Sequence, residues 1–285
     1  MGKYSRDKRD IYYRKAKELG YRARSAFKLL QVDEQLHILD GVERAVDLCA
    51  APGSWSQVLA QRLNASDDDE VPKVVAVDLQ EMAPIPGVVQ MRGDITRRRT
   101  ADEIIGHFDG QLADIVVSDG APDVTGLHDF DEFVQGQLIV AAIGIAANTL
   151  RPGGRFCAKI FRGKDTSLLV SQLRTLFREV LIAKPRSSRN SSIEAFLVGI
   201  DFVPPANDAK IELPVTAENA PFLACGDLAG LDSDKSYSLQ HGDAEYEYRA
   251  PTQPPISPAY LEVLEKQRAN SDKPLSHPTG SVSEP

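Results

Sequence analysis

Two lysines and two carboxylates in this 285-residue chain, Lys28, Asp119, Lys159 and Glu194, fall where the carboxyl edge of a predicted sheet and a leading helix can bring them together. Such a set suits the removal of a proton from a hydroxyl. An amine with an ordinary pKa is charged at neutral pH and cannot accept that proton. A second ammonium and partial burial favour the neutral amine, while carboxylates fix its position. Lys159, at the end of the predicted strand 155–160, is the candidate base, and Lys28 is the neighbouring ammonium. Asp119 and Glu194 orient the pair. Each residue alone reads as well as a structural ion pair or a surface charge; the argument for chemistry is the set of four at element ends.

The elements that must position these residues begin with Asp47-Leu-Cys-Ala-Ala-Pro-Gly-Ser-Trp-Ser56. This run has the form of a strand, a tight turn forced by Pro52-Gly53, and a helix 55–63 with Ser54 as its cap. Alone, it is also what any strand-turn-helix with a convenient glycine looks like. Downstream, the apolar strand 73–77 ends on Asp78, the position where a doubly wound fold binds a ribose hydroxyl pair. Neither Gly-x-Gly-x-x-Gly nor Gly-x-x-x-x-Gly-Lys-Ser/Thr occurs, so the expected ligand is a nucleoside without a pyrophosphate. S-adenosylmethionine fits that description.

The remaining signals alternate. Helical periodicity covers 24–39, strands are expected at 44–48, 88–91, 114–118 and 155–160, and helices at 97–108, 130–150 and 165–177. Arg151-Pro-Gly-Gly154 reads as the stop of the long helix. Strands 179–183 and 195–202 close the series as an antiparallel end. Alternation at this spacing means an α/β fold, a mostly parallel sheet with helices on both faces.

The net charge of −8 hides a division. Residues 1–30 carry +7, with Lys3, Arg6, Lys8, Arg9 and Arg24 among ten basic residues and Tyr4, Tyr12, Tyr13 and Tyr21 between them. A basic arm with aromatic residues suits a phosphate backbone with unstacked bases, and a solvated tail fits equally well. Residues 206–285 carry −7 with scattered Pro, Gly and Ser, and read as an irregular extension to about 270, with a short helix near 258–268 and a disordered end at 271–285. The acidic run 64–70 reads as a surface loop. Three distant cysteines, Cys49, Cys157 and Cys225, form neither a disulfide framework nor a zinc site, and no metal is expected. No apolar run reaches the ~18 residues of a membrane span and no signal-peptide core precedes the arm, so a cytoplasmic protein is expected.

The chain resembles the FtsJ-type RNA 2′-O-ribose methyltransferases, over about residues 3–202. The likeness rests on Lys28 in Ser-Ala-Phe-Lys-Leu, Asp119 in Ser-Asp-Gly-Ala-Pro, Lys159 in Ala-Lys-Ile-Phe and Glu194 in Ser-Ile-Glu-Ala. The resemblance implies a Rossmann-like class I methyltransferase fold in residues 24–203, a seven-stranded mostly parallel sheet with one antiparallel strand. It also implies that Gly53, Trp55, Asp78, Asp94 and Asp119 line the S-adenosylmethionine site: Gly53 and Trp55 at the methionine end, Asp78 at the ribose and Asp94 at the adenine.

The start Met-Gly-Lys-Tyr-Ser-Arg-Asp-Lys-Arg and the pieces Ala224-Cys-Gly-Asp-Leu228 and Asp232-Ser-Asp-Lys-Ser-Tyr237 are similar to the eukaryotic tRNA anticodon-loop branch. That branch methylates nucleotides 32 and 34, with a helical-repeat and a WD-repeat helper protein respectively, and the acidic extension offers such helpers a docking surface. Bacterial members that act on ribosomal RNA resemble the core and end soon after the last strand. An RNA loop suits the residues, because only RNA has a 2′-hydroxyl and a loop nucleotide can splay into a pocket. Lys184, Arg186 and Arg189, before Glu194, add basic contacts. Ribosomal RNA or an mRNA cap is the alternative substrate, although a single Trp leaves little for a cap-binding cage. An inactive RNA-binding subunit is the alternative of another class, and the complete tetrad argues against it.

Overall fold

The computed structural model describes residues 10–121, 128–205, 219–237, 240–241 and 244–245. They belong to one compact unit, Met1–Pro255. Strands β1 (Ala45–Leu48), β2 (Val74–Asp78), β3 (Val88–Arg92), β4 (Ala113–Ser118), β5 (Leu150–Phe161), β6 (Phe177–Pro185), β7 (Glu194–Phe202) and β8 (Phe222–Cys225) form one sheet. Its order is β3-β2-β1-β4-β5-β7-β6-β8. β1 pairs in parallel with β2 on one side and β4 on the other, and β7 is antiparallel to both β5 and β6. The strand order reverses beside β1, so a crevice opens at the carboxyl ends of β1 and β4, where such sheets take their ligands.

Helices α1 (Ile11–Glu18), α2 (Ala26–Leu36), α3 (Ser54–Leu63), α4 (Arg98–His107), α5 (His128–Thr149) and α6 (Thr166–Arg174) cover both faces. One apolar cluster joins Ala101, Ile145 and Val170 to the Val46, Val116 and Phe156 face of the sheet. The other joins Leu29, Trp55 and Val58 to the Ala45, Ile115 and Phe196 face. β1 and β4 are buried throughout, which is why they read as continuous apolar runs without alternation. Among the described residues, no helix is long and apolar enough to cross a membrane.

The sheet departs from the sequence reading in three places. It has an eighth strand, β8, inside the stretch read as an irregular extension, parallel to β6 with Ala183 opposite Leu223. Four residues between Pro221 and Gly226 are too short to show a period. The basic arm contains a helix: Asp10 caps α1, accepting from the amides of Tyr12 and Tyr13 at 3.0 and 3.1 Å. Tyr12 and Tyr21 are buried on Phe27, with ring centroids 5.3 and 6.1 Å from it, so they pack the leading helices and are not free for bases. Finally, Arg151-Pro-Gly-Gly154 does not follow a finished helix as a separate turn. α5 runs directly into β5, and these four residues bulge out of register between the pairs Ala113–Leu150 and Ile115–Arg155. Lys3, Arg6, Lys8, Arg9 and the short helix expected near 258–268 lie outside the described residues.

Candidate active site

The corner after β1 is built from three strands and a helix. Gly53 has φ +105°, and a Cβ there would lie 2.6 Å from Arg22 Nη1 and 2.8 Å from Ile85 Cδ1. Only glycine fits this turn. Arg22 clamps it, donating from Nη1 to the Pro52 carbonyl and from Nη2 to the Pro84 carbonyl, both at 2.9 Å. Asp78, at the tip of β2, accepts from the Ala51 and Gln80 amides at 2.8 Å each. Gly53, and not Ser54, stands at the N-cap of α3; the Ser54 hydroxyl instead meets the Ser25 hydroxyl at 2.6 Å. Trp55 is buried against Phe196, and its indole N–H donates to the Ser25 carbonyl at 2.8 Å. Its side chain therefore positions the start of α2, and only its backbone in the first turn of α3 is left for a ligand. Asp94 accepts from the Thr96 hydroxyl and amide at 2.7 and 3.0 Å, which holds its carboxyl below the ordinary range.

α2 delivers Lys28 over the Phe196 ring, 5.9 Å from its centroid, and Lys28 Nζ donates to Glu194 Oε2 at 2.8 Å. Glu194 Oε1 accepts from the Ser188 hydroxyl at 2.5 Å. Burial alone would raise the Glu194 carboxyl; the Lys28 ammonium, the hydrogen bonds from Lys28 and Ser188, and Lys159 outweigh it and hold the carboxyl below its ordinary value. Lys159, on β5, is opposite Phe196, and its Nζ lies 3.1 Å from Asp119 Oδ1 and donates to the Asp119 carbonyl at 2.6 Å. Lys28 Nζ lies 3.8 Å from the same Oδ1. All four residues predicted to act together are thus joined in one chain of charges, Glu194, Lys28, Asp119, Lys159. Their side chains are between 9% and 17% exposed, open enough for a hydroxyl and dry enough for charge to count.

Charge proximity leaves hydrogen-bonding capacity open. Among the described residues the buried Asp119 Oδ1 has ion-pair neighbours but no aligned hydrogen-bond donor, and Asp47 Oδ1 has none either. Asp47 is sealed under the corner, with its other oxygen accepting from Ser56 Oγ at 2.6 Å. Burial, reinforced by the Asp119 and Asp78 carboxylates against the Ser56 hydrogen bond, pushes Asp47 up to about 7. A crevice with the Asp78 and Asp119 carboxylates, a glycine turn and the orphan amides of a helix start fits a cationic nucleoside that also carries a carboxylate. Cys49 lines the same corner, and burial pushes its thiol up to about 11, which makes it a packing residue and not a nucleophile.

Several residues that hold the site gave no sequence signal. Gln135 on α5 donates from Nε2 to the Gly120 and Lys159 carbonyls at 3.1 and 2.7 Å, tying the β4 and β5 ends together. Arg22 also acts through partners distant in sequence, and Ser188 through Glu194, six residues further on. The described basic residues expected to meet RNA have internal partners: Arg24 pairs with Asp10 and donates to the Ser187 carbonyl, Arg189 pairs with Asp10 at 3.4 Å, and Arg186 pairs with Asp232 at 3.1 Å.

A 3-2-1-4-5 parallel sheet with antiparallel β7 inserted beside β5, a glycine corner after β1 and an acidic tip on β2 define a Rossmann-like methyltransferase. Residues 21–202 match the FtsJ-like methyltransferases, and the chain belongs to that family. It is 57% identical over 285 aligned residues to the human tRNA (cytidine(32)/guanosine(34)-2′-O)-methyltransferase, covering 94% of this chain and 86% of the relative. It is 55% identical to the Schizosaccharomyces pombe protein of the same name, covering 93% and 97%. A solved methyltransferase structure from Plasmodium falciparum superposes with a TM-score of 0.57 at 25% identity, over 65% of this chain and 100% of that one.

Proposed function

We infer that this methyltransferase transfers a methyl group from S-adenosylmethionine to the ribose 2′-hydroxyl of tRNA anticodon-loop nucleotides 32 and 34. The observation that carries the chemistry is the Glu194–Lys28–Asp119–Lys159 chain at the carboxyl edge of β4, β5 and β7. The names of the relatives, matched over nearly the whole chain, support the substrate.

The cofactor, when bound, supplies a methyl group already activated by its sulfonium. Gly53, the α3 backbone at Trp55, Asp78, Asp94 and Asp119 are the residues that hold it. The chain's own task is to place and deprotonate the hydroxyl. Lys159 takes the proton from the 2′-oxygen. Asp119 holds Lys159 by carboxylate and carbonyl, with Oδ1 at 3.1 Å and the carbonyl at 2.6 Å from its Nζ. Lys28, fixed by Glu194, keeps a second positive charge beside the base and faces the oxygen that becomes more negative. The helical-repeat and WD-repeat helpers belong to this reading, with the acidic extension 204–270 as their docking surface.

The test is methyl transfer from labelled S-adenosylmethionine to total tRNA by wild type and Lys159→Ala, with and without helpers and with the modified ribose mapped. Label at an anticodon-loop ribose that vanishes in the variant supports the assignment. Label on ribosomal RNA alone moves the substrate, and cofactor binding without label on any RNA makes the chain an inactive subunit.

A further inference from the structure

Arg162 follows Phe161, the β5 residue paired with Glu194, and its amide donates to the Ile193 carbonyl at 2.9 Å. It is therefore the next step of the ladder that carries Lys159 and Glu194, at the carboxyl edge of β5. Its guanidinium lies over the Phe222 ring, 5.2 Å from the centroid. Phe222 stands on β8 and is 52% exposed, and Ile193, next to Glu194, is 46% exposed. Arg162 thus stands next to two side chains that leave apolar surface in water, one through its guanidinium and one through its backbone.

The electrostatics sharpen this. Arg24, Arg186 and Arg189 are each held by a carboxylate. Lys184, beside Arg162, spends its ammonium on the Ser192 and Glu194 carbonyls at 2.8 and 2.5 Å. Arg162 is exposed and, among the described residues, has no carboxylate within ion-pair distance. A phosphate needs only a cation, whereas a guanidinium held over a phenyl ring offers a flat, polarisable face for a base. Around a ribose drawn out of a loop, the neighbouring bases are unstacked and need such a face.

We propose that Arg162 and Phe222, with Ile193 as an apolar border, form a stacking platform for an unpaired RNA base adjacent to the nucleotide whose ribose enters the tetrad. The platform rests on the RNA 2′-O-methylation reading above. It gives β8 a role in the reaction: the strand, with Phe222 opposite Ile182, brings an aromatic ring within reach of Arg162.

The experiment measures binding and methylation of a tRNA anticodon stem-loop by wild type, Arg162→Lys, Arg162→Ala, Phe222→Leu and Phe222→Ala, with an abasic residue placed at each loop position in turn. Melting curves establish that each variant is folded, Phe222→Leu being the milder change if Phe222→Ala loosens β8. Arg162→Lys and the Phe222 variants are expected to weaken RNA binding roughly 5- to 150-fold, the range for loss of a base-stacking contact. S-adenosylmethionine binding should not change. At one loop position the abasic RNA costs wild type that same factor and costs the Phe222 variant nothing further.

Undiminished RNA binding by the variants, while wild type methylates the RNA, overturns the platform and leaves the methylation reading intact. So does full affinity in Arg162→Lys with loss only in Arg162→Ala, which would be a phosphate contact. Loss that appears only when a helper protein is present makes the pair a protein contact and overturns it too. No methylation of any RNA by wild type defeats the parent reading, and the platform falls with it.

Discussion

Gln135, on α5, holds the Lys159 backbone with its side chain: Nε2 donates at 2.7 Å to the Lys159 carbonyl and at 3.1 Å to the carbonyl of Gly120, beside Asp119. One buried amide thus sets the spacing between the two strand ends that carry base and carboxylate. Gln135→Leu should lower kcat about 10²-fold, the penalty for a misplacement near 1 Å, with little change in KM for either substrate. Gln135→Glu has the same size but, even when protonated, one hydrogen for two carbonyls, and should also be slow. If both variants only lower the melting temperature and turn over normally, Gln135 is a packing residue.

Gly53 tests the cofactor corner. Its φ of +105° and the 2.6 Å approach of Arg22 Nη1 leave no room for a methyl group. Gly53→Ala must either strain the turn, at about 1–3 kcal/mol, or expel Arg22 from the Pro52 and Pro84 carbonyls. Calorimetry should show S-adenosylmethionine affinity reduced at least about tenfold, with a lowered melting temperature. Unchanged affinity would place the cofactor elsewhere.

Glu194 predicts an acid limb of stability. Burial opposes its charged form, yet Lys28, Ser188 and Lys159 hold the carboxyl below the ordinary value. A depressed folded value means that its contribution is complete above the unfolded value near 4.3 and is lost as pH falls through the folded one. Glu194→Gln leaves Lys28 with only the more distant Asp119 carboxylate and should cost roughly 1–3 kcal/mol at neutral pH. The melting difference between wild type and variant should shrink steadily below about pH 4.3. A difference constant with pH would mean that the pair contributes by packing alone.

The elements legible in the sequence were those with local signals. β1, β2 and β4 are short apolar runs, the Pro52-Gly53 turn announces itself, and each tetrad residue sits at an element end. What could not be read depends on partners far along the chain. Tyr12 and Tyr21 look like base-stacking residues until Phe27 is seen between them. Arg24 of the arm and Arg186 and Arg189 of the loop before Glu194 look free until Asp10 and Asp232 are placed on them. Trp55 falls in the cofactor motif by position, but its ring packs on Phe196 because α3 turns it inward. β8 has four residues and takes its strand character from the exposed edge of β6, and so carries no pattern of its own.

Asp47 should show the opposite pH behaviour to Glu194. It is fully buried with one oxygen unpartnered among the described residues, and burial together with the Asp119 and Asp78 carboxylates raises it to about 7. The folded protein then holds a proton that the unfolded chain releases near pH 4. Stability that depends on this proton is whole below about pH 4, declines as pH rises to about 7 and is level beyond it, a total on the order of 4 kcal/mol. Asp47→Asn, neutral at every pH, should lack the decline, so the variant gains on wild type between pH 4 and 7. A cationic cofactor held beside Asp78 and Asp119 offsets the two carboxylates that raise Asp47 and so favours its ionised form. Saturating S-adenosylmethionine should therefore flatten the wild-type curve over the same interval and leave the Asp47→Asn curve unchanged in shape. Parallel curves for the two proteins without cofactor would show that Asp47 is ionised throughout, with its charge met by groups other than Ser56.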